Sequence, residues 1–284
     1  MPRVLVVGCG YVGEAVASAF HERGWGVEGW TATDESALKL AGRPYRVRGV
    51  DVTALEPGSE LDNGFDLVIH CVSSRGGDEE QYRKLYFEGA RNLIGTFPGA
   101  TVLFTSSTSV YAQKGGEVVD ETSPAEPARE KGRLLRETEE LVIAARGIVA
   151  RLGGIHGPGR SHFLSRFLEG GPIAGANEDR FVNQVHRDDI VEALFLLAER
   201  RVECAGEIYN VVADQPITAR GAYEWLSLRL NRPLPESGHS AKPRTRGESN
   251  KQVSNRKLRG LGWTPRYPTF ELAMTENILP SFGL

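Results

Sequence analysis

Cysteine is scarce in this chain, and no two cysteines stand near one another. Three occur in 284 residues, Cys9, Cys71 and Cys204, each in an apolar run and none in a Cys-x-x-Cys pair. A disulfide framework and a zinc site are therefore unsupported, and reduced, buried thiols are expected. Long hydrophobic runs are also missing, since no stretch approaches the ~20 apolar residues of a membrane helix. The first apolar run, Val4 to Val7, is of strand length and ends in glycines, so no signal peptide is read there. Charge of one sign is lacking too: 34 Lys and Arg against 37 Asp and Glu leave -3, which offers no field for nucleic acid. Internal repeats and low-complexity tails are absent. What remains is an ordinary globular composition, 40% hydrophobic and 25% charged, in a chain long enough to bury a core. The reducing cytoplasm is the expected compartment.

The apolar pattern alternates between strand and helix periods. Val4 to Val7, Val27 to Thr31, Tyr45 to Val50, Phe65 to Val72, Thr101 to Thr105 and Gly147 to Leu152 read as six strands. Helices are expected between them, notably at Val12 to Phe20, Asp34 to Leu40, Gln81 to Phe97 and Arg133 to Ala145. Beyond Gly153 the glycines and prolines multiply, and a helix at Asp188 to Arg200 and a strand at Glu207 to Val212 are expected to return to the main sheet. Asn231 to Asn255 reads as a long surface segment. The fold class that follows is α/β, a Rossmann doubly wound parallel sheet with a smaller C-terminal α/β substrate domain. The boundaries expected are 1–153 plus a returning segment near 184–212 for the dinucleotide domain. Residues 154–183 and 213–284 are left for the substrate region.

Gly8-Cys9-Gly10-Tyr11-Val12-Gly13 is a Gly-x-Gly-x-x-Gly set directly after the first strand and directly before the first helix. In that context the first glycine permits a tight turn, the second lets backbone approach a pyrophosphate, and the third allows close helix–strand packing. The phosphates would sit on a helix N-terminus, where free N–H groups and the dipole favour negative charge. The acid that would grip the adenosine ribose is less clear. Glu28 stands at the right distance but inside the second strand, whose tip is Thr31-Ala32-Thr33. With no carboxylate at the tip to repel a 2′-phosphate, NADP is the expected cofactor, with NAD the alternative.

Several further segments, in order and at matching spacing, make the chain resemble the extended short-chain dehydrogenase/reductase family, the epimerase/dehydratase group acting on nucleotide sugars. Asp51-Val52-Thr53 is similar to the adenine-contacting segment, and Phe104 to Tyr111 (Phe-Thr-Ser-Ser-Thr-Ser-Val-Tyr) to the "SSxxVYG" strand end. Val119-Asp120-Glu121-Thr122-Ser123-Pro124 matches the acidic turn that follows. Arg151-Leu152-Gly153-Gly154-Ile155-His156-Gly157-Pro158-Gly159 resembles "RlxxvYGPG", with His156 in the tyrosine position. Asn183-Gln184-Val185-His186 and Leu261-Gly262-Trp263 complete the set. The resemblance implies cofactor contacts from Gly8, Gly10, Tyr11, Val12, Gly13, Thr31, Asp51, Val52, Val72, Ser73 and Ser106, a small-molecule substrate and a homodimer.

The departure from the family pattern concerns the chemistry. The family's Tyr-x-x-x-Lys pair transfers the substrate proton while hydride moves to or from the nicotinamide, helped by a serine. Here the resemblance puts Ser107 in the serine position, Lys131 where the tyrosine should stand and Leu135 where the lysine should stand. No tyrosine lies between Tyr111 and Tyr209 to rescue the motif. Ser107, Lys131 and His156 are the remaining catalytic candidates, the lysine because a desolvated ammonium can give a proton and the histidine by its ordinary pKa. Arg75, Arg160, Arg180 and Arg246, with His186, come from loops that in the resembling fold line the substrate cleft, a set suited to a phosphorylated or nucleotide-linked substrate. Two functions stay open: an oxidoreductase or epimerase of atypical mechanism, and a catalytically silent dinucleotide-binding sensor or regulator.

Overall fold

The computed structural model describes residues 1–55, 64–74, 76–170, 173–174, 178–238 and 249–284. Its centre is a seven-stranded sheet. The strands are β1 (Arg3–Val7), β2 (Gly26–Thr31), β3 (Arg46–Gly49), β4 (Leu67–His70), β5 (Thr101–Ser107), β6 (Ile148–Leu152) and β7 (Ile208–Val211). Their spatial order is β7-β6-β5-β4-β1-β2-β3. β1 runs parallel to β2 and to β4, β2 to β3 and β4 to β5, with Val7 opposite both Trp30 and His70. Order reverses beside β1, and that reversal is the switch point at which a doubly wound sheet binds its ligand.

The strands form where the sequence is apolar without alternation, because both faces of a parallel sheet are covered. Val4, Leu5 and Val6 of β1, Leu67, Val68 and Ile69 of β4, and Ile148, Val149 and Ala150 of β6 have no exposed surface. Aromatic edges fill the two layers. Phe97 packs on Trp30 and Phe65, with ring centroids 5.8 and 5.7 Å apart, while Phe20 meets Trp25 and Phe195 at 5.1 Å each.

By internal contacts the chain divides into two units. One comprises Met1–Val110, Pro127–Arg151 and Ile190–Tyr209; the other comprises Tyr111–Glu126, Leu152–Asp189 and Asn210–Leu284. The second unit has its own core, in which Phe163, Leu164 and Phe167 of one helix meet Tyr223, Leu226 and the C-terminal Phe270 and Met274. Among the described residues no helix is long and apolar enough to cross a membrane.

Three details differ from the sequence reading. The helix expected as one run from Gln81 is α3 (Glu79–Arg83) and α4 (Gly89–Thr96) joined through a π-helical turn, Lys84–Glu88. The α5 helix (Glu130–Ala144) begins before Arg133, because Arg129 supplies the extended cap, so Lys131 sits in its first turn. The stretch 231–255 is not wholly surface. Gln252–Val253 pairs in parallel with Val118–Val119, and Lys251, Val253 and Asn255 are buried. Asn183 explains the docking, since it accepts the Val253 N–H and donates to the Lys251 carbonyl.

Candidate functional site

The glycine turn lies between β1 and α1 (Gly13–Glu22), and its three glycines do three different things. Gly8 has φ +98°, and a Cβ there would stand 2.7 Å from the Cys71 carbonyl carbon and the Val72 nitrogen. The β1 exit therefore presses on the β4 exit, and only glycine permits it. A Cβ on Gly13 would stand 2.2 Å from the Gly8 carbonyl oxygen, which closes the turn onto the helix. Gly10 is exposed, and a Cβ on it would meet nothing within 4 Å. The protein thus leaves Gly10 bare without any packing reason. Val12, at the N-cap of α1, supplies no side-chain cap to the helix. A bare glycine face before an uncapped ten-residue helix fits the pyrophosphate of a dinucleotide. Tyr11 and Val12 are half-buried on the same turn.

Around that turn the expected cofactor contacts fall at the C-terminal ends of β2, β3 and β4. Thr31 is buried, and its hydroxyl donates to the Thr33 carbonyl at 2.9 Å. Glu28 is turned inward, where it accepts from Trp30 Nε1 at 2.8 Å and from Arg48 Nη1 at 3.3 Å. It is a sheet-internal acceptor rather than a ribose ligand. Asp51 is exposed and caps a short turn by accepting from the Thr53 N–H at 2.9 Å, whereas Val52 is buried beneath Gly89. Val72 is half-buried and Ser73 exposed on the segment leaving β4.

β5 ends in the serine pair, and its two members face different surroundings. Ser106 is buried, and its hydroxyl donates to Glu139 Oε1 at 2.6 Å. Glu139 in turn accepts from Arg151 Nε at 3.0 Å and Nη2 at 2.7 Å, and from Arg136 Nη1 at 2.5 Å. Ser106 therefore points its side chain into a buried ion pair, so any cofactor contact from it is left to the backbone. Ser107 is half-buried and accepts the Ser109 N–H at 3.2 Å, which keeps its own O–H free to donate elsewhere. Lys131 is not a solvated charge. Its ammonium donates to the Gly77 carbonyl and lies 5.6 Å from the Tyr82 ring centroid. Leu135 is 2% exposed, packed as a core residue where the family has its lysine.

The second unit holds the two candidate histidines, His156 and His186. His156, opposite His186 in paired strands, is 2% exposed, and among the described residues neither ring nitrogen has a hydrogen-bond partner. Burial, with His186 beside it, pushes its pKa down to about 3, so the ring is neutral. His186 has no exposed surface; Nδ1 accepts the Asp188 N–H at 3.2 Å and Nε2 meets Asn277 Oδ1 at 3.0 Å. The Asp188 amide fixes the tautomer, with the proton on Nε2. Both ring nitrogens of His186 are thus engaged within the second unit. Arg160 is exposed on a tight turn whose backbone pairs with Gly157. Arg180 is half-buried near Lys251 and His162. Arg75 and Arg246 lie outside the described residues.

Sequence reasoning missed two groups. The Glu139–Arg151 pair had a signal in the text of the chain, an arginine inside the apolar run Ile148 to Leu152. Lys251 had none, since Lys251-Gln252-Val253-Ser254 reads as polar surface.

Comparison with known proteins agrees with the geometry. The model of the NAD dependent epimerase/dehydratase family matches residues 4–212. Protein YeeZ of Escherichia coli is 31% identical over 229 residues, which span 75% of this chain and 78% of YeeZ. Among solved structures, UDP-glucuronic acid 4-epimerase from Bacillus cereus with NAD superposes at TM-score 0.81 with 17% identity, covering 99% and 98% of the two chains. The dTDP-glucose 4,6-dehydratase from Bacillus anthracis with NAD gives 0.81 and 16%, over 100% and 97%. These two likenesses concern the fold. With a match over most of its length and a glycine turn shaped for a dinucleotide, the chain belongs to the NAD dependent epimerase/dehydratase family.

Proposed function

We propose that this protein is an NADP-preferring oxidoreductase or epimerase/dehydratase-like enzyme acting on a nucleotide-sugar-like substrate in the cytoplasm, with NAD the weaker cofactor. The observation that carries the reading is the bare Gly10 face before an uncapped α1, on the same sheet edge as Ser107 and the first turn of α5. NADP is favoured because Glu28 is tied to Trp30 and Arg48, which leaves no acid at Thr31-Ala32-Thr33 to repel a 2′-phosphate. The domain limits 1–153 with 184–212, and 154–183 with 213–284, belong to this proposal, as does a homodimer formed through helices of the Rossmann half. A bound nicotinamide supplies hydride transfer. The chain supplies the proton and the orientation. Ser107 Oγ–H donates to the reacting oxygen of the substrate, and its lone pair is held by the Ser109 N–H. Lys131, tethered through the Gly77 carbonyl, is the cation that replaces the phenol as proton donor. Arg160 and Arg180, with Arg75 and Arg246, bind the anionic part of the substrate. Loss of one proton-transfer group costs roughly 10²–10⁴-fold, so slow turnover is expected.

The test is turnover over a panel of UDP-, dTDP-, GDP- and ADP-linked sugars and their keto forms, with Ser107→Ala and Lys131→Met beside the natural protein; it is read as net NADPH oxidation or NADP reduction and, because epimerisation and dehydration return the hydride, also as altered sugar product by chromatography. Turnover that both variants abolish, with dinucleotide affinity intact, agrees with the proposal. Tight cofactor binding with no turnover on any panel member refutes it.

A further inference from the structure

Two groups from the chain that follows β4 hold the ammonium of Lys131. One is the Gly77 carbonyl, to which it donates. The other is the ring of Tyr82 on α3, whose centroid lies 5.6 Å away, within the ~6 Å reach of a cation–π contact. Both groups are themselves fixed. The Gly77 N–H donates to the Ser74 carbonyl at 2.9 Å, and Asp78 caps α3 by accepting the Gln81 N–H at 2.8 Å. Arg83 ties α3 to α5 through Glu137 at 3.1 Å. Tyr82 is 9% exposed and packs on Tyr86, with ring centroids 4.3 Å apart. Tyr86 stands on the π-helical turn Lys84–Glu88 and meets Phe104 of β5 edge-on at 6.2 Å. A row of three rings therefore runs from Lys131 to the strand that ends in Ser107.

A π-helical turn is rare and gathers at functional sites. Here it separates α3 from α4 and carries the ring on which Tyr82 rests. The position where the family has its lysine is Leu135, a core residue, so the placing of charge near Ser107 does not come from there. A lysine kept only to solvate the start of α5 would need neither a carbonyl acceptor nor a buried ring. We propose that Tyr82 is a positioning residue: the negative face of its ring holds the Lys131 ammonium in one place, so that its proton is offered in a fixed direction. The ring face carries this role, and the phenolic hydroxyl does not. The inference rests on the reading of Lys131 as proton donor; the contact itself rests on Tyr82.

The experiment compares the natural full chain with Tyr82→Phe and Tyr82→pentafluorophenylalanine. Phenylalanine keeps the negative ring face, and its fluorinated form has nearly the same size but has lost that face. The first readout is the rate at which acetic anhydride acylates Lys131, followed by peptide mass spectrometry with the exposed Lys39 as internal standard. The second is kcat and KM over the sugar panel. Tm and NADP affinity report folding and should be equal in all three proteins. Tyr82→Phe should behave as the natural protein. In the fluorinated protein Lys131 should be acylated at least about threefold faster, and kcat should fall at least about threefold with KM unchanged. Loss of turnover in Tyr82→Phe overturns the proposal, because the hydroxyl is then required. Acylation or kcat that ignores ring fluorination overturns it as well. Lys131 acylation that follows fluorination, in a protein that turns over no panel member, would uphold the contact and refute the enzyme reading, so the two fail separately.

Discussion

Replacing Glu139 by alanine should cost this protein about 3–5 kcal/mol, a large part of the 5–15 kcal/mol typical of a folded domain. Glu139 has no exposed surface, and Arg151 is 1% exposed. The pair is bidentate, at 3.0 and 2.7 Å, and two more donors close on Glu139, Arg136 Nη1 at 2.5 Å and the Ser106 hydroxyl at 2.6 Å. Alanine at 139 takes the buried carboxylate away from the Arg151 guanidinium and leaves the Ser106 hydroxyl without its acceptor. The cost comes from that uncompensated buried charge and hydroxyl rather than from the lost attraction, which sets the sign of the companion experiments. Ser106→Ala removes one hydrogen bond to a charged group and should cost about 1.5–3 kcal/mol. Glu139→Leu combined with Arg151→Met removes both charges together, and should recover most of the loss of Glu139→Leu alone. Urea unfolding followed by far-UV circular dichroism gives all the values. Ser106 precedes Ser107 on β5, so NADPH turnover should fall with Glu139→Ala even below the unfolding transition. If Glu139→Ala costs less than about 1 kcal/mol, or the double variant is worse than either single one, the network is not the buried pair described.

Other consequences are simpler to state. Gly8→Ala should destabilise by about 2–4 kcal/mol, since it adds a left-handed backbone penalty to a clash with the Cys71–Val72 peptide; a neutral Tm would contradict the packing. Lys251 has a folded pKa of about 8 against an unfolded 10.5, so the native state binds fewer protons between those values. Stability should therefore rise with pH across that window by on the order of 3 kcal/mol relative to Lys251→Met, and the penalty should be fully present below pH 8. Parallel curves for the two proteins would refute it. His156→Phe should keep or raise stability by about 1 kcal/mol, because two partnerless buried nitrogens disappear; a marked loss would mean the ring has an unrecognised partner.

The sheet was legible in the sequence because parallel strands covered on both faces leave unbroken apolar runs. Val4 to Val7 and Ile148 to Leu152 are strands β1 and β6 to within a residue. The glycine turn was legible because Gly8 and Gly13 are demanded by close backbone contacts, and those demands leave a fixed spacing. Helix starts were less so. Lys131 falls in the first turn of α5 because Arg129 adopts an extended conformation, and no Ser, Thr, Asp or Asn marks that cap. Long-range polar pairing was least legible. That Glu139 meets Arg151, or that Lys251 meets no acid among the described residues, depends on which segments the fold brings together, and a local pattern carries no record of it.

The central claim is that backbone N–H groups at the open end of α1, exposed by Gly10, hold a dinucleotide pyrophosphate. A fluorescence titration of NADPH and NADH into the natural protein and Gly10→Val tests it directly. The account predicts saturable binding, tighter for NADPH. It also predicts a loss of at least about tenfold in Gly10→Val, with Tm unchanged because nothing of the protein lies within 4 Å of the added Cβ. No binding of either nucleotide by the natural protein, or equal binding by the variant, would contradict it.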